Sequence, residues 1–383
     1  MSRILIKRAL SLIVSLLMTA ALTSCGASDK TQESTDNVGA DVVATYLNIA
    51  FVRDEPTYAY AAENDTASSA LSAYAKERGF GYSEFTVDTP NEDARLETFN
   101  TAITLGANVI VCVGRYMQKA VAAAQDKYPE TSFLVVCGEE PNREYGEGFS
   151  ENTHCIVFRE EDAGYVAGYI ALYEGARAPA FFAFSELSAS VHCFGGFVAG
   201  VTDAAAELGL SDVKIICSIS NDSMVFDADP DADVPLSDNM PEDLFEQGAD
   251  MIAAMGAQVN ISEEASYLNG TKIISVCFDA YDPYGVITTS PAYDCGRVAV
   301  KALDRLAANG GKWSVRDSGV CGREGLAEGG ITLKKPSSGE PKFGEEDLMR
   351  LEDAAAAGEI SIPLYEDKSD ITSDKIPIIY IGK

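Results

Sequence analysis

The stretch from Asn108 to Gly138, NVIVCVGRYMQKAVAAAQDKYPETSFLVVCG, decides the fold class. It opens and closes on short apolar runs, NVIVCVG (108–114) and SFLVVCG (132–138), each too short for a helix and rich in β-branched residues. Between them MQKAVAAAQDKY has helical composition and is stopped by Pro129. A buried strand, a helix and a second buried strand make a βαβ unit, whose two strands must lie parallel because a hairpin turn cannot join them.

The same pattern extends in both directions. YLNIAFV (46–52) and GYSEFTVD (81–88) read as strands, with helices at 69–79 and 94–106, and HCIVF (154–158) reads as a fifth strand. A second series follows: PAFFAFS, DVKIICS, DMIAAMG and KIISVCF as strands, with helices at 163–175 and 195–209. Small residues at Ala163, Gly164, Ala167 and Gly168 allow the first of these helices to pack closely. After Asp279 a strand and a helix, VITTSPAYDCGRVAVKALDRLAANGGKW, need a host, and the first series supplies a free sheet edge. The fold class is therefore α/β with two doubly wound parallel-sheet lobes joined by a hinge.

Export is written at the N-terminus. Arg3, Lys7 and Arg8 precede an uncharged apolar run from Ala9 to Leu22, and Leu22-Thr23-Ser24-Cys25-Gly26 follows. The run suits a signal peptide and is shorter than the roughly 20 residues of a membrane-spanning helix. Its ending resembles the bacterial lipobox, which makes Cys25 the site of lipid attachment; two acyl chains give stable anchoring where one does not. Residues 26–41 are polar and lack periodicity, as a flexible tether does. The expected organisation is signal peptide 1–24, lipidated tether 25–41, first lobe 42–157 with 286–325, and second lobe 158–285 with 326–383.

The 383 residues carry 29 Lys+Arg against 59 Asp+Glu, a formal charge of −30, and loss of the basic leader makes the remainder more acidic. Such a field repels polyanions, so nucleic acid is excluded as a partner and a neutral ligand is favoured over a phosphate ester. With two histidines, no HExxH, no GxSxG elbow, no phosphate loop and no GxGxxG after the first strand, no catalytic constellation or cofactor fingerprint is present. The acidic run between Asn221 and Asp243 lacks the turn glycine of a calcium loop and reads as solvated surface, so no metal is expected. Beyond Cys25, eight cysteines remain, most inside apolar strands where free thiols pack as small hydrophobes.

Ligands of open parallel sheets bind at the carboxyl ends of the strands. Those ends carry Arg53-Asp54 with Tyr58 and Tyr60, Gly114-Arg115-Tyr116, Gly138-Glu139-Glu140, Phe158, Ser185, Gly256 and Phe278-Asp279. Rings and carboxylates suit a ligand with a flat ring and hydroxyl donors.

Several segments, in order, resemble the basic-membrane-protein family of ABC-importer lipoproteins, which includes purine nucleoside-binding proteins. They are LGANVIVCVGRYM, AAAQDKYPETSFLVV, NTHCIVFREEDAGYVAGYIA, GGFVAGV, EQGADMIAAMG, GLAEGGITL and AAAAGEISIP. The resemblance implies a type I periplasmic-binding fold, a cleft that closes on its ligand, a membrane permease as partner and no enzymatic activity. It also implies that Asp54 and Asp279 bind ligand hydroxyls, with Tyr58 in the place of a stacking Phe. Asn64 stands in for a family Asn across a short insertion. The second-lobe stacking position falls on Cys193 or Phe194, of which Phe194 is chosen. The family's lysine is replaced by Ala292 or Tyr293, and its acidic residue at the fourth strand by Cys137, with Glu139 close behind. Gly114, Arg115, Tyr116 and Glu139 complete the expected site. A purine nucleoside is the expected ligand; a flavin or sugar, a sensory role without transport, and an exported hydrolase are the alternatives.

Overall fold

The structure, a computed structural model, describes residues 46–54, 60–141, 148–183, 186–219, 242–255, 266, 271–278, 282, 284–337 and 339–381. Cys25, Tyr58, Ser185, Gly256 and Asp279 lie outside these, as do the leader and tether.

The first sheet contains β1 (Asn48–Asp54), β2 (Gly81–Val87), β3 (Val109–Val113), β4 (Ser132–Val136), β5 (Thr153–Phe158) and β11 (Val320–Glu324). Its spatial order is β11-β5-β4-β3-β1-β2, with every neighbouring pair parallel. The second sheet contains β6 (Pro179–Ala183), β7 (Ile215–Ile219), β8 (Met251–Met255), β9 (Lys272–Ser275) and β13 (Ile378–Tyr380). Its order, β13-β7-β6-β8-β9, is also parallel throughout. Strands β3, β4 and β8 are buried at every residue, the signature of a sheet covered on both faces.

The return of the chain differs from the expected course. The helix Cys295–Ala308 does pack on the first lobe, where its Asp304 accepts from Tyr74 Oη at 3.0 Å and Arg78 Nη2 at 2.6 Å. The strand before it, β10 (Ser290–Tyr293), joins neither large sheet: it pairs antiparallel with β12 (Ile331–Lys334). The edge of the first sheet is taken by β11, which follows that strand and helix in the chain. Its sequence, VCGRE, has no apolar alternation; pairing with β5 supplies the conformation.

The helices Glu160–Glu174 and Ser188–Leu208 start the second lobe, and their backbones nearly touch. A β-carbon on Gly196 would lie 1.8 Å from the Glu161 carbonyl oxygen, and one on Gly164 would lie 2.0 Å from that of Cys193. One turn on, β-carbons on Gly168 and Gly200 would lie 2.5 Å from Val201 N and 2.1 Å from the Tyr165 carbonyl oxygen. This contact fixes the N-terminal turns of both helices, which carry Glu160, Glu161 and His192 toward the first lobe. Gly196→Ala should therefore cost about 2–3 kcal/mol through overpacking. Urea unfolding measures this, and an unchanged midpoint would show that the backbones stand farther apart.

Candidate functional site

Where the strands of the first sheet end, the chain builds a cavity of about 570 Å³. One wall is a continuous run of five rings. Tyr116 meets Tyr60 edge-on at 6.1 Å, Tyr60 meets Phe278 at 6.2 Å, Phe278 meets Tyr293 at 5.4 Å, and Tyr293 stacks on Phe158 at 4.3 Å with 9° between planes. All five line the cavity. Edge-to-face and stacked contacts at these distances satisfy ring quadrupoles and hold each ring in place.

Tyr60 is positioned by backbone strain and by two neighbours. It sits in the left-handed region at φ 67°, as do Cys137 at 56° and Cys277 at 75°, the three described non-glycine residues that do so. Cys137 lines the cavity, and Cys277 precedes the lining residue Phe278, so this costly backbone clusters around one site. The Tyr60 carbonyl accepts from Asn64 N at 2.8 Å and Asn64 Nδ2 at 2.9 Å. Its ring lies over Gly114, where a β-carbon would come within 2.7 Å of the ring, so glycine is required there. Burial pushes the Tyr60 phenol well above its ordinary value, so it stays protonated and able to donate.

The facing wall comes from the helix Ser188–Leu208, with His192, Ser188 and Ser190, and from Met255 at the end of β8. Charged groups complete the lining: Glu63, Glu139, Glu140 and Glu160 against Arg115 and Arg323. Carboxylates outnumber guanidiniums four to two, a balance that repels an anionic ligand. Arg115 donates to Tyr116 Oη at 3.2 Å, with its guanidinium carbon 5.2 Å from that ring's centroid. Gln118, fully buried, holds the backbone of Glu139 through its amide: Nε2 donates to the Glu139 carbonyl at 2.9 Å and Oε1 accepts from the Glu139 N–H.

Arg323, from β11, reaches across to the first turn of the helix Glu160–Glu174, where its Nη2 lies 3.4 Å from Glu161 Oε2 and 3.9 Å from Glu160 Oε2. Arg159 Nε lies 3.0 Å from the other Glu161 oxygen. Glu160, Glu161 and His192 bring potential metal-ligand atoms within 4.8 Å of one another, but these two guanidiniums already supply the charge complement of a cation. Next to them Asp162 accepts from Leu326 N at 2.8 Å. Burial, opposed by Arg159, raises the Asp162 carboxyl from 3.8 to about 6.

Of the residues expected from sequence, Arg115, Tyr116 and Glu139 line the cavity, and Gly114 lies beneath Tyr60. Asp54 does not line it. Its carboxylate is buried and held by Arg95, with Nε to Oδ1 at 2.9 Å and Nη2 to Oδ2 at 2.6 Å. Asn64 is also buried behind Tyr60. Phe194 is fully buried against Phe181 at 5.3 Å and Tyr380 at 6.0 Å, and the residue of its helix that faces the cavity is His192, two positions earlier. Tyr58 and Asp279 are outside the described residues. His192, Arg323 and Glu160 were not anticipated. No local motif marks them, although the helix phase would have placed His192 and Phe194 on different faces.

A family model described as "ABC transporter substrate-binding protein PnrA-like", named Bmp, matches residues 60–364. The chain belongs to this family. Among solved structures, this Bmp protein is similar to an ABC transporter solute-binding protein from Conexibacter woesei, at 15% identity and TM-score 0.61, covering 83% of this chain and 99% of that one. A solute-binding protein from Aeropyrum pernix gives 17% and 0.53, covering 84% and 95%. A transcriptional activator of the comK gene from Bacillus halodurans gives 17% and 0.56, covering 81% and 96%. At these identities the likeness shows the fold alone. No curated protein matches the sequence. Among the described residues no helix is long and apolar enough to cross a membrane.

Two outcomes follow from the ionisable groups. Asp54→Ala should destabilise the protein by about 3–5 kcal/mol, because Arg95 is left buried and unpaired. Urea unfolding of Asp54→Ala beside a double variant with Arg95→Met should show partial recovery in the double variant. Asp162 gives a pH signature: the native state holds a proton that the unfolded chain has released between about pH 4 and 6, so its contribution to stability falls as pH rises through that window. Asp162→Asn lacks this slope, and its stability relative to the unsubstituted protein should rise by up to about 3 kcal/mol from pH 4 to 6.5. A pH-independent difference would contradict the raised carboxyl.

Proposed function

We propose that this Bmp protein is an extracytoplasmic, lipid-anchored receptor of an ABC importer, attached through Cys25, that binds a neutral ring-containing solute of the nucleoside type and catalyses no reaction. The observation that carries the ligand class is the five-ring wall facing a lining rich in carboxylates. A flat heterocycle stacks on or between such rings, and vicinal hydroxyls donate to carboxylates. The stacking assigned from sequence to Tyr58 and Phe194 passes in this reading to Tyr60 and Phe278, with His192 opposite. Asp279, next in the chain to Phe278, keeps its assignment to the sugar hydroxyls.

Closure follows from where the groups reside. Rings and Glu139 come from the first lobe and the crossings, whereas His192 and Met255 come from the second, so a ligand touching both walls stabilises the closed form over the open one. The closed form is the one that a permease would recognise.

A thermal-stability panel of nucleosides, nucleobases, flavins, sugars and nucleoside monophosphates tests the ligand class. A cognate nucleoside at 100 times its dissociation constant should add about 2.7 kcal/mol. The monophosphate should add much less, and Asp279→Ala should abolish the gain. Stabilisation by a sugar or flavin alone would replace the nucleoside assignment, and turnover of a nucleoside would overturn the receptor reading.

A further inference from the structure

All eight cysteines of the described chain are free thiols. Thiols from distant parts of the sequence influence one another in three pairs: burial and then Cys321 raise the Cys155 thiol, burial and then Cys277 raise the Cys193 thiol, and Cys137 and then burial raise the Cys295 thiol. In two of these pairs Cys193, Cys277 and Cys295 are at 0% exposure, and Cys137, at the cavity wall, is at 7%. The third is different, because Cys321 is only partly buried, on the edge strand β11.

Three geometric facts locate its two sulfurs. Cys155 and Cys321 are direct partners in the parallel register of β5 and β11. Partners on adjacent strands project to the same face with Cα atoms about 4.8 Å apart, inside the roughly 4.4–6.8 Å range of disulfides. The sulfurs also meet consecutive residues of the cavity wall: a β-carbon on Gly138 would lie 2.5 Å from Cys155 Sγ, and Cys321 Sγ lies 3.9 Å from the Glu139 carbonyl oxygen. Gly138, lacking a side chain, leaves the space into which the Cys155 sulfur projects.

We propose that Cys155 and Cys321 form a reversible dithiol/disulfide site directly behind the Gly138–Glu139 wall, oxidised by small-molecule disulfides. The Cys321 thiolate attacks one sulfur of the disulfide, and the departing thiolate takes up the proton that Cys321 gave to solvent. The Cys155 sulfur then attacks Cys321 Sγ, releasing the second small thiol, which carries the proton lost from Cys155. Two protein thiols are oxidised and one small disulfide is reduced to two thiols. Cys321 attacks first because it is the partly exposed residue of the pair, whereas Cys155 is fully buried. The product pins the edge strand, and with it Arg323, to the body of the first sheet. This inference is independent of the ligand's identity.

The test uses the full chain, reduced, in detergent and incubated with oxidised glutathione, then alkylated and mapped by mass spectrometry without reduction. The expected result is a peptide link between residues 155 and 321, formed at least tenfold faster than any link at the other two pairs, with two glutathiones released per link. Cys155→Ser should stop at a stable glutathione adduct on Cys321, and Cys321→Ser should leave Cys155 unreacted. A persisting glutathione adduct on Cys321 in the unsubstituted protein, equal reaction at all three pairs, or no loss of either thiol would overturn the proposal. The unsubstituted protein decides the matter even where a variant fails to fold.

Discussion

Two helix backbones in direct contact, those of Glu160–Glu174 and Ser188–Leu208, set the geometry on which the cavity depends. Four glycines, at 164, 168, 196 and 200, remove the side chains that would separate them. At normal interaxial distances of about 8–10 Å, side chains fill the space between helices and set their offset. Here carbonyls and α-carbons meet instead, so the offset is rigid. His192 therefore stands opposite Glu160, with Nδ1 3.6 Å from Oε2, and both face the aromatic wall.

The wall itself exists because the chain passes between the lobes repeatedly at one place. Phe158 ends β5, Arg323 and Glu324 end the neighbouring β11, and Arg159 N donates to the Glu324 carbonyl at 3.1 Å as both segments leave the sheet. Phe278 and Tyr293 belong to the third passage, where Cys277 N and O bond Pro291 O and Tyr293 N. Rings contributed from four separate segments become one surface only where those passages converge. Burial then keeps the Tyr60 and Tyr293 phenols protonated, so the wall offers donors and apolar faces without added negative charge.

Much of the fold is legible in local composition. The runs VIVCV, SFLVV and MIAAM are apolar at every position but Ser132, and a strand covered on both faces requires such a run whatever its partners. The strand β11 is not legible in this way, since Cys-Gly-Arg is a strand only because β5 offers it a ladder. Asp54 shows the same limit at the site. Its place at the end of a strand and shortly before Tyr58 and Tyr60 in the sequence fits a ligand contact, and only the approach of Arg95 from the helix Glu92–Thr104 commits its carboxylate to the scaffold.

What the sequence determined by itself is the alternation of buried strand and helix, hence two parallel-sheet lobes, together with an acidic surface and the set of strand-end residues that includes Arg115, Tyr116, Glu139 and Phe278. These follow from periodicity and composition, which act over a few residues. Tertiary structure alone decided that His192 faces the cavity while Phe194 and Asn64 do not. It also decided that Arg323 reaches the second lobe and that Cys155 and Cys321 become register partners on β5 and β11. Each of these depends on the direction of a side chain, or on contacts between segments far apart in the chain, and those are set by helix phase and strand register once the lobes have packed.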